Sequence, residues 1–132
     1  WTDEDYAAFE ARAQKLIGYY NTIVPFEDGE NYPGENVQGE AIADIAGVKC
    51  MLILAKERAD FDYDLFFRAY TISWRSVCTR EYGEYIVYQD VHPMNYLRVN
   101  VTLMQQPEFY ETYGIEEGDG MYMAKEDRIS VW

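Results

Sequence analysis

The most constraining stretch of this sequence is GEAIADIAGVKCMLIL, residues 39–54. It is apolar almost all the way round, yet it carries Glu40 and Asp44 four residues apart. On an α-helix that spacing places both carboxylates one turn apart on the same side. A helix that is hydrophobic on every face is normally buried. Burying a carboxylate is strongly unfavourable unless a cation, a metal or good donors compensate it. The two acids therefore need partners. The residue types allow three arrangements: a metal ligand with a second acid behind it, a carboxylate dyad, or ion pairs with arginines such as Arg68, Arg75 or Arg98.

The pattern around this stretch predicts a mainly α fold of three longer helices, with short helices and long loops. Residues 2–20 read as an amphipathic helix, with Thr2 as N-cap, Asp3, Glu4 and Asp5 at the positive end of the dipole, and Phe9, Ala13, Leu16, Ile17 and Tyr20 as its apolar stripe. Residues 25–38, rich in Gly, Pro, Asn and acids, read as a loop. The central helix is expected over 39–58, with Gly47 admitting a close neighbour, and a third, deeply packed helix over 62–80. Residues 84–90 suit either a strand or a last helical turn. In 91–103 Pro93 and the polar residues break helical periodicity. Pro107 opens a short helix that Gly114 closes, and the tail to Trp132 reads as loop.

The chain has 132 residues, enough for one domain with a modest core. Its formal net charge of −13, from 24 acids and 11 bases, disfavours nucleic acid and anionic membranes. No apolar run approaches the roughly 20 residues of a membrane-spanning helix. WTDEDY has neither the basic start nor the apolar centre of a signal peptide, so the chain is expected to be soluble, with its compartment not encoded here. Beginning on Trp1 without a Met, straight into a helical pattern, it reads as a cut inside a longer protein. Cys50 and Cys78 make no CxxC and are expected as buried free thiols. His92 is the single histidine, so no histidine pair for a metal exists within the chain.

His92 sits in DVHP, two residues after Asp90. A nearby carboxylate fixes the tautomer of an imidazole and favours its protonated form, which can donate to developing negative charge. A partly exposed loop histidine is the plainer alternative. Arg98, flanked by apolar residues, offers a planar fork for a carbonyl or carboxylate, or serves as counter-ion to the buried acids.

Six segments in order resemble the C-terminal part of the neprilysin and endothelin-converting-enzyme family of zinc metallopeptidases. These are WT with its following helix at 1–20, GEAIADIAGV at 39–48, FFRAYTISW at 66–74, DVHPMNYLRVNVTL at 90–103, PEFYETYG at 107–114 and R-x-x-x-W at 128–132. They are similar to the family's GENIAD-x-GG-L, FF-x-A-F-x-x-x-W, D-x-H-S-P-x-x-x-R-V-N-G-T-L, PEF-x-x-x-F and terminal C-R-V-W patterns, with the six residues from His92 to Arg98 intact. The resemblance implies that Glu40 is the third zinc ligand and that Asp44 holds a zinc-bound histidine. It implies that His92 donates to the oxyanion, with Asp90 behind it, and that Arg98 binds a substrate backbone carbonyl. Peptide substrates, a Zn²⁺ cofactor and a thermolysin-like catalytic domain follow as expectations.

Departures from the pattern are Ala41 for Asn, Pro93-Met94-Asn95 for Ser-Pro-Gly after the histidine, and Val101 for Gly. Asp127 replaces the cysteine before the terminal R-x-W, which removes the disulfide partner of animal members and suggests a bacterial-type member. The family's HExxH helix, which supplies two zinc ligands and the general base, has no counterpart in residues 1–132. The expectation is the C-terminal portion of a zinc endopeptidase: inactive alone, partnered by the upstream part of its own catalytic domain, and prone to self-association through an uncovered apolar face. The alternative is a stand-alone or degenerate helical module that binds peptides without metal.

Overall fold

One long helix runs through both apolar cores of this fold. The computed structural model describes residues 1–130, and among them six helices and no strand occur. Helix α1 (Asp3–Tyr20) begins with a capping box: the Thr2 hydroxyl accepts the Asp5 N–H, and the Asp5 carboxylate accepts the Thr2 N–H. It buries Ala13, Leu16, Ile17 and Tyr20 against α2 (Gly34–Ala55).

Helix α2 starts five residues before the expected 39, because Gly34 lets its first turn press onto the end of α1. A Cβ at Gly34 would lie 2.5 Å from the Ile17 carbonyl oxygen. The Asn21 side chain accepts the Gly34 N–H at 2.8 Å. Gly47, expected to admit a close neighbour, does not: a Cβ there would meet nothing within 4 Å. Nor is α2 buried all round. Ala43, Gly47, Met51 and Leu54 stay exposed, because no other described segment covers that side.

Helix α3 (Tyr63–Ser73), capped by the Asp62 carboxylate, stops seven residues short of the expected 80. The Thr71 and Ser73 hydroxyls bond back to the Phe67 and Tyr70 carbonyls at its last turn, a competition that weakens helix ends. It packs on α5 and α6 by one face only, so Phe67 is its sole buried residue and Ile72 is 62% exposed. The expected deep packing is therefore absent. Residues 84–89 fall in a helix, α4 (Arg80–Gln89), capped by Thr79, and Asp90 follows its end.

Helix α5 (Asn95–Leu103) overturns the expected break in periodicity: Pro93 lies ahead of the helix, where a missing N–H does no harm. Helix α6 (Pro107–Tyr113) ends as expected on Gly114, whose φ of 62° is the left-handed C-cap. The tail, without helix, is fixed by the core. Tyr110 Oη accepts the Met123 N–H at 2.9 Å, Arg128 covers the Tyr110 ring, and Gln105 accepts the Ile129 N–H. Val131 and Trp132, where the R-x-x-x-W resemblance ends, lie outside the described residues.

Two apolar clusters result. One joins Leu16, Tyr20, Val37, Ile45, Val87 and Leu97; the other joins Val48, Leu52, Phe67, Leu103 and Phe109. Helices α2 and α5 run through both, so their shared contact is the rigid centre of the molecule. Cys50 and Cys78 are both exposed, against expectation. Cys50 falls on the uncovered side of α2, and Cys78 lies beyond the end of α3.

Candidate active site

The rigid pairing of α2 with α5 positions the residues singled out in the sequence. Asp44 faces α5 and receives Arg98 in a two-pronged ion pair, Nε to Oδ2 at 2.6 Å and Nη2 to Oδ1 at 2.8 Å. Of the three arginines open as partners, Arg98 is the one used; Arg68 pairs with Asp64 instead. The two side chains are 12% and 14% exposed, so this fork is held in a partly desolvated place. Asp44 hydrogen bonding raises the Arg98 pKa further, and the cation stays charged.

Two residues outside the expected site complete this arrangement. The Arg98 guanidinium lies 3.9 Å from the centre of the Trp74 ring, and Tyr70 donates its hydroxyl proton to the Arg98 carbonyl at 3.0 Å. Both lie in the segment expected as a third, deeply packed helix. Their spacing, one turn apart, was the available signal: it presents two aromatic groups to whichever helix packs there.

Glu40, one turn before Asp44, is 43% exposed. Its Oε2 lies 3.3 Å from His92 Nε2, across the gap between α2 and the loop joining α4 to α5. The other ring nitrogen, Nδ1, lies 2.8 Å from Asp90 Oδ1, which also accepts the His92 backbone N–H at 2.8 Å. The backbone N–H first, and then the ring, hold the Asp90 carboxyl below the usual carboxylate range. Asp90 thereby fixes the imidazole with Nδ1 carrying a proton, leaving Nε2 as the edge toward Glu40. Tyr32 steadies the following turn by accepting the Met94 N–H on its hydroxyl at 3.0 Å.

Glu40, Asp44, Asp90, His92 and Arg98 are thus all brought to one side of the α2–α5 contact. Chemically the arrangement offers an accessible oxygen donor, an oriented imidazole and a braced guanidinium. Among the described residues, no group of three His, Cys, Asp or Glu could by itself hold a metal ion. Glu40 offers an accessible carboxylate oxygen, one of the donor types that bind zinc.

A neutral endopeptidase of Lactococcus lactis subsp. lactis is 34% identical over 132 residues, which is all of this chain and 21% of that protein. The crystal structure of PEPO from Lactobacillus rhamnosis matches with a TM-score of 0.81 and 27% identity over 98% of this chain and 20% of that one. A structure of the Mycobacterium tuberculosis zinc metalloprotease ZMP1 in an open state shares the fold, with a TM-score of 0.87 at 22% identity over 100% of this chain and 23% of that one. The chain spans about a fifth of the length of these relatives. The model of peptidase family M13 matches residues 1–129, nearly the whole sequence, and the chain belongs to that family.

Proposed function

We propose that this chain is the C-terminal part of the catalytic domain of a zinc-dependent endopeptidase that hydrolyses peptide bonds of oligopeptides. The observation that carries the reading is the convergence of Glu40, His92 and the braced Arg98 beside one helix contact. Glu40 is the metal ligand: its carboxylate is 43% exposed, with Oε2 3.3 Å from His92 Nε2, and is accessible to a metal held jointly with the remainder of the protein. When bound, zinc polarises the scissile carbonyl and lowers the pKa of a coordinated water.

The other residues act around that centre. Asp44 orients: Arg98 takes two of its roughly four acceptor positions, leaving capacity for the ring N–H of a ligating histidine. Arg98 keeps further N–H donors for a substrate backbone carbonyl. Aligned by Asp90, His92 points Nε2 at the carbonyl oxygen and, as an imidazolium, would donate to it as it gains negative charge. With one metal ligand out of three, the isolated chain hydrolyses nothing.

The test uses the full-length parent enzyme. Glu40→Ala should lose both zinc, by metal analysis, and turnover. His92→Ala should keep its zinc and lose about 10²–10³-fold in kcat, the worth of one oxyanion donor. Normal zinc loading and activity in the Glu40→Ala protein would sink the assignment of Glu40, and a parent protein that binds no zinc at all would leave the metal-free peptide-binding module as the surviving reading.

A further inference from the structure

A cavity of about 310 Å³ opens beside the Arg98 platform, between the end of α3 and the start of α5. Its walls include Trp74, Met94, Tyr96 and Val99, with Arg75 and Asn100 as polar groups. The volume lies within the roughly 300–1,000 Å³ of small-ligand sites. The ring that carries Arg98 is therefore also a wall of this cavity.

The charge of the cavity runs against that of the chain. The sequence holds 24 acids and 11 bases, yet no carboxylate lines this space. Arg58, Arg68, Arg80 and Arg98 each hold a carboxylate. Arg75 is exposed, lies outside the helix and has no ion-pair partner among the described residues. A chain this acidic repels anions at long range, but salt screens that repulsion beyond about 8 Å at physiological ionic strength. Contact with a guanidinium in a partly enclosed cavity survives the screening.

We propose that this cavity is a side-chain subsite selecting a glutamate of the peptide substrate, with Arg75 receiving the carboxylate. Trp74, Met94 and Val99 accept the methylene stem, and the Asn100 amide is a second polar group beside the charged end. The proposal rests on the peptidase reading and adds to it a preference for acidic peptides. In the catalytic set Glu40, Asp44 and Asp90 are anionic, and the charge of Arg98 is already met by Asp44.

The experiment uses the full-length parent and oligopeptides in which Glu or Gln stands at each position flanking the cleaved bond. At one position Glu should be preferred over Gln by about tenfold in kcat/KM, about 1.4 kcal/mol. Arg75→Gln should bring that ratio to near one, and Arg75→Glu should turn the preference toward Lys at the same position. Cleavage with no Glu preference, or with one that Arg75 does not control, overturns the subsite and leaves the peptidase reading standing. Calorimetric binding of the same peptides separates the converse case. Affinity for the Glu peptide that depends on Arg75 without turnover upholds the subsite and removes the peptidase reading; neither cleavage nor such affinity overturns both.

Discussion

Replacing Asp44 by Asn removes the counter-ion of a nearly buried cation while keeping the shape of the side chain. Asp44 and Arg98 are 12% and 14% exposed and share bonds of 2.6 and 2.8 Å. Asn retains one acceptor oxygen and turns its amide hydrogens toward the guanidinium, so one charge-assisted bond is lost and the positive charge is left uncompensated. Removing one partner of a buried pair costs about 3–5 kcal/mol. Here the face of Trp74 still receives the cation, an interaction worth about 0.5–2 kcal/mol, which reduces the expected loss to about 2–3 kcal/mol. With a urea slope of roughly 1.5 kcal/mol per molar for a chain of this size, the unfolding midpoint should fall by about 1.3–2 M. Urea unfolding of the 132-residue chain, followed by circular dichroism, reads that shift. In an Arg98→Gln background the same substitution should cost below about 1 kcal/mol. In an Arg68→Gln background it should keep its full cost, because Arg68 bonds Asp64. A loss under about 0.5 kcal/mol, or one indifferent to Arg98, would class the pair with exposed salt bridges and refute the bracing of Arg98.

Two further outcomes are expected. Burial first pushes the Tyr32 hydroxyl up to about 12, above its unfolded value of about 10, and it pushes Tyr20 in the same direction. Their contribution to stability is therefore complete below about pH 10 and is lost as pH rises toward 12, so tyrosinate absorbance from this pair should grow together with loss of helical dichroism; ionisation with the helices intact would refute it. Gly34→Ala should destabilise by about 1–3 kcal/mol, because its Cβ meets the Ile17 carbonyl at 2.5 Å, whereas Gly47→Ala should gain about 1 kcal/mol of helix propensity in urea unfolding of this chain. Opposite signs would refute the reading of which glycine is a contact.

Local signals in the sequence suffice where a single residue type decides the geometry. Thr2 and Gly114 end their helices by side-chain and backbone chemistry that needs no partner from elsewhere, and both stand as expected. The errors arose where tertiary contact decides. Helix α2 reaches back to Gly34 only because α1 lies against it, and α3 is exposed because the chain offers neighbours to one of its faces alone. Periodicity reports how apolar a helix is, and it does not report whether its own chain covers it. Asp44 shows the same division. Its need for a partner was legible, but the choice among Arg68, Arg75 and Arg98 required knowing that α5 packs on α2 while α3 does not.

The unequal burial of the two acids, one turn apart, follows from what each has to meet. Asp44 has its partner within the chain and is 12% exposed; Glu40 faces only the imidazole edge and is 43% exposed. Beyond Glu40, the residues Ala43, Gly47, Met51 and Leu54 continue the same uncovered side of α2 at helical spacing. Burying a side chain such as Met or Leu is worth about 1.5–3 kcal/mol, so a stripe of this composition gains nothing by facing water. On the proposed reading the stripe and Glu40 are one surface. Covering the stripe with the rest of the catalytic domain brings the missing donors to the carboxylate at its head, and metal binding and domain packing then reinforce one another. A ligand that completes its shell with groups from another segment has to stand at the surface of its own, whereas an acid that orients needs an internal brace.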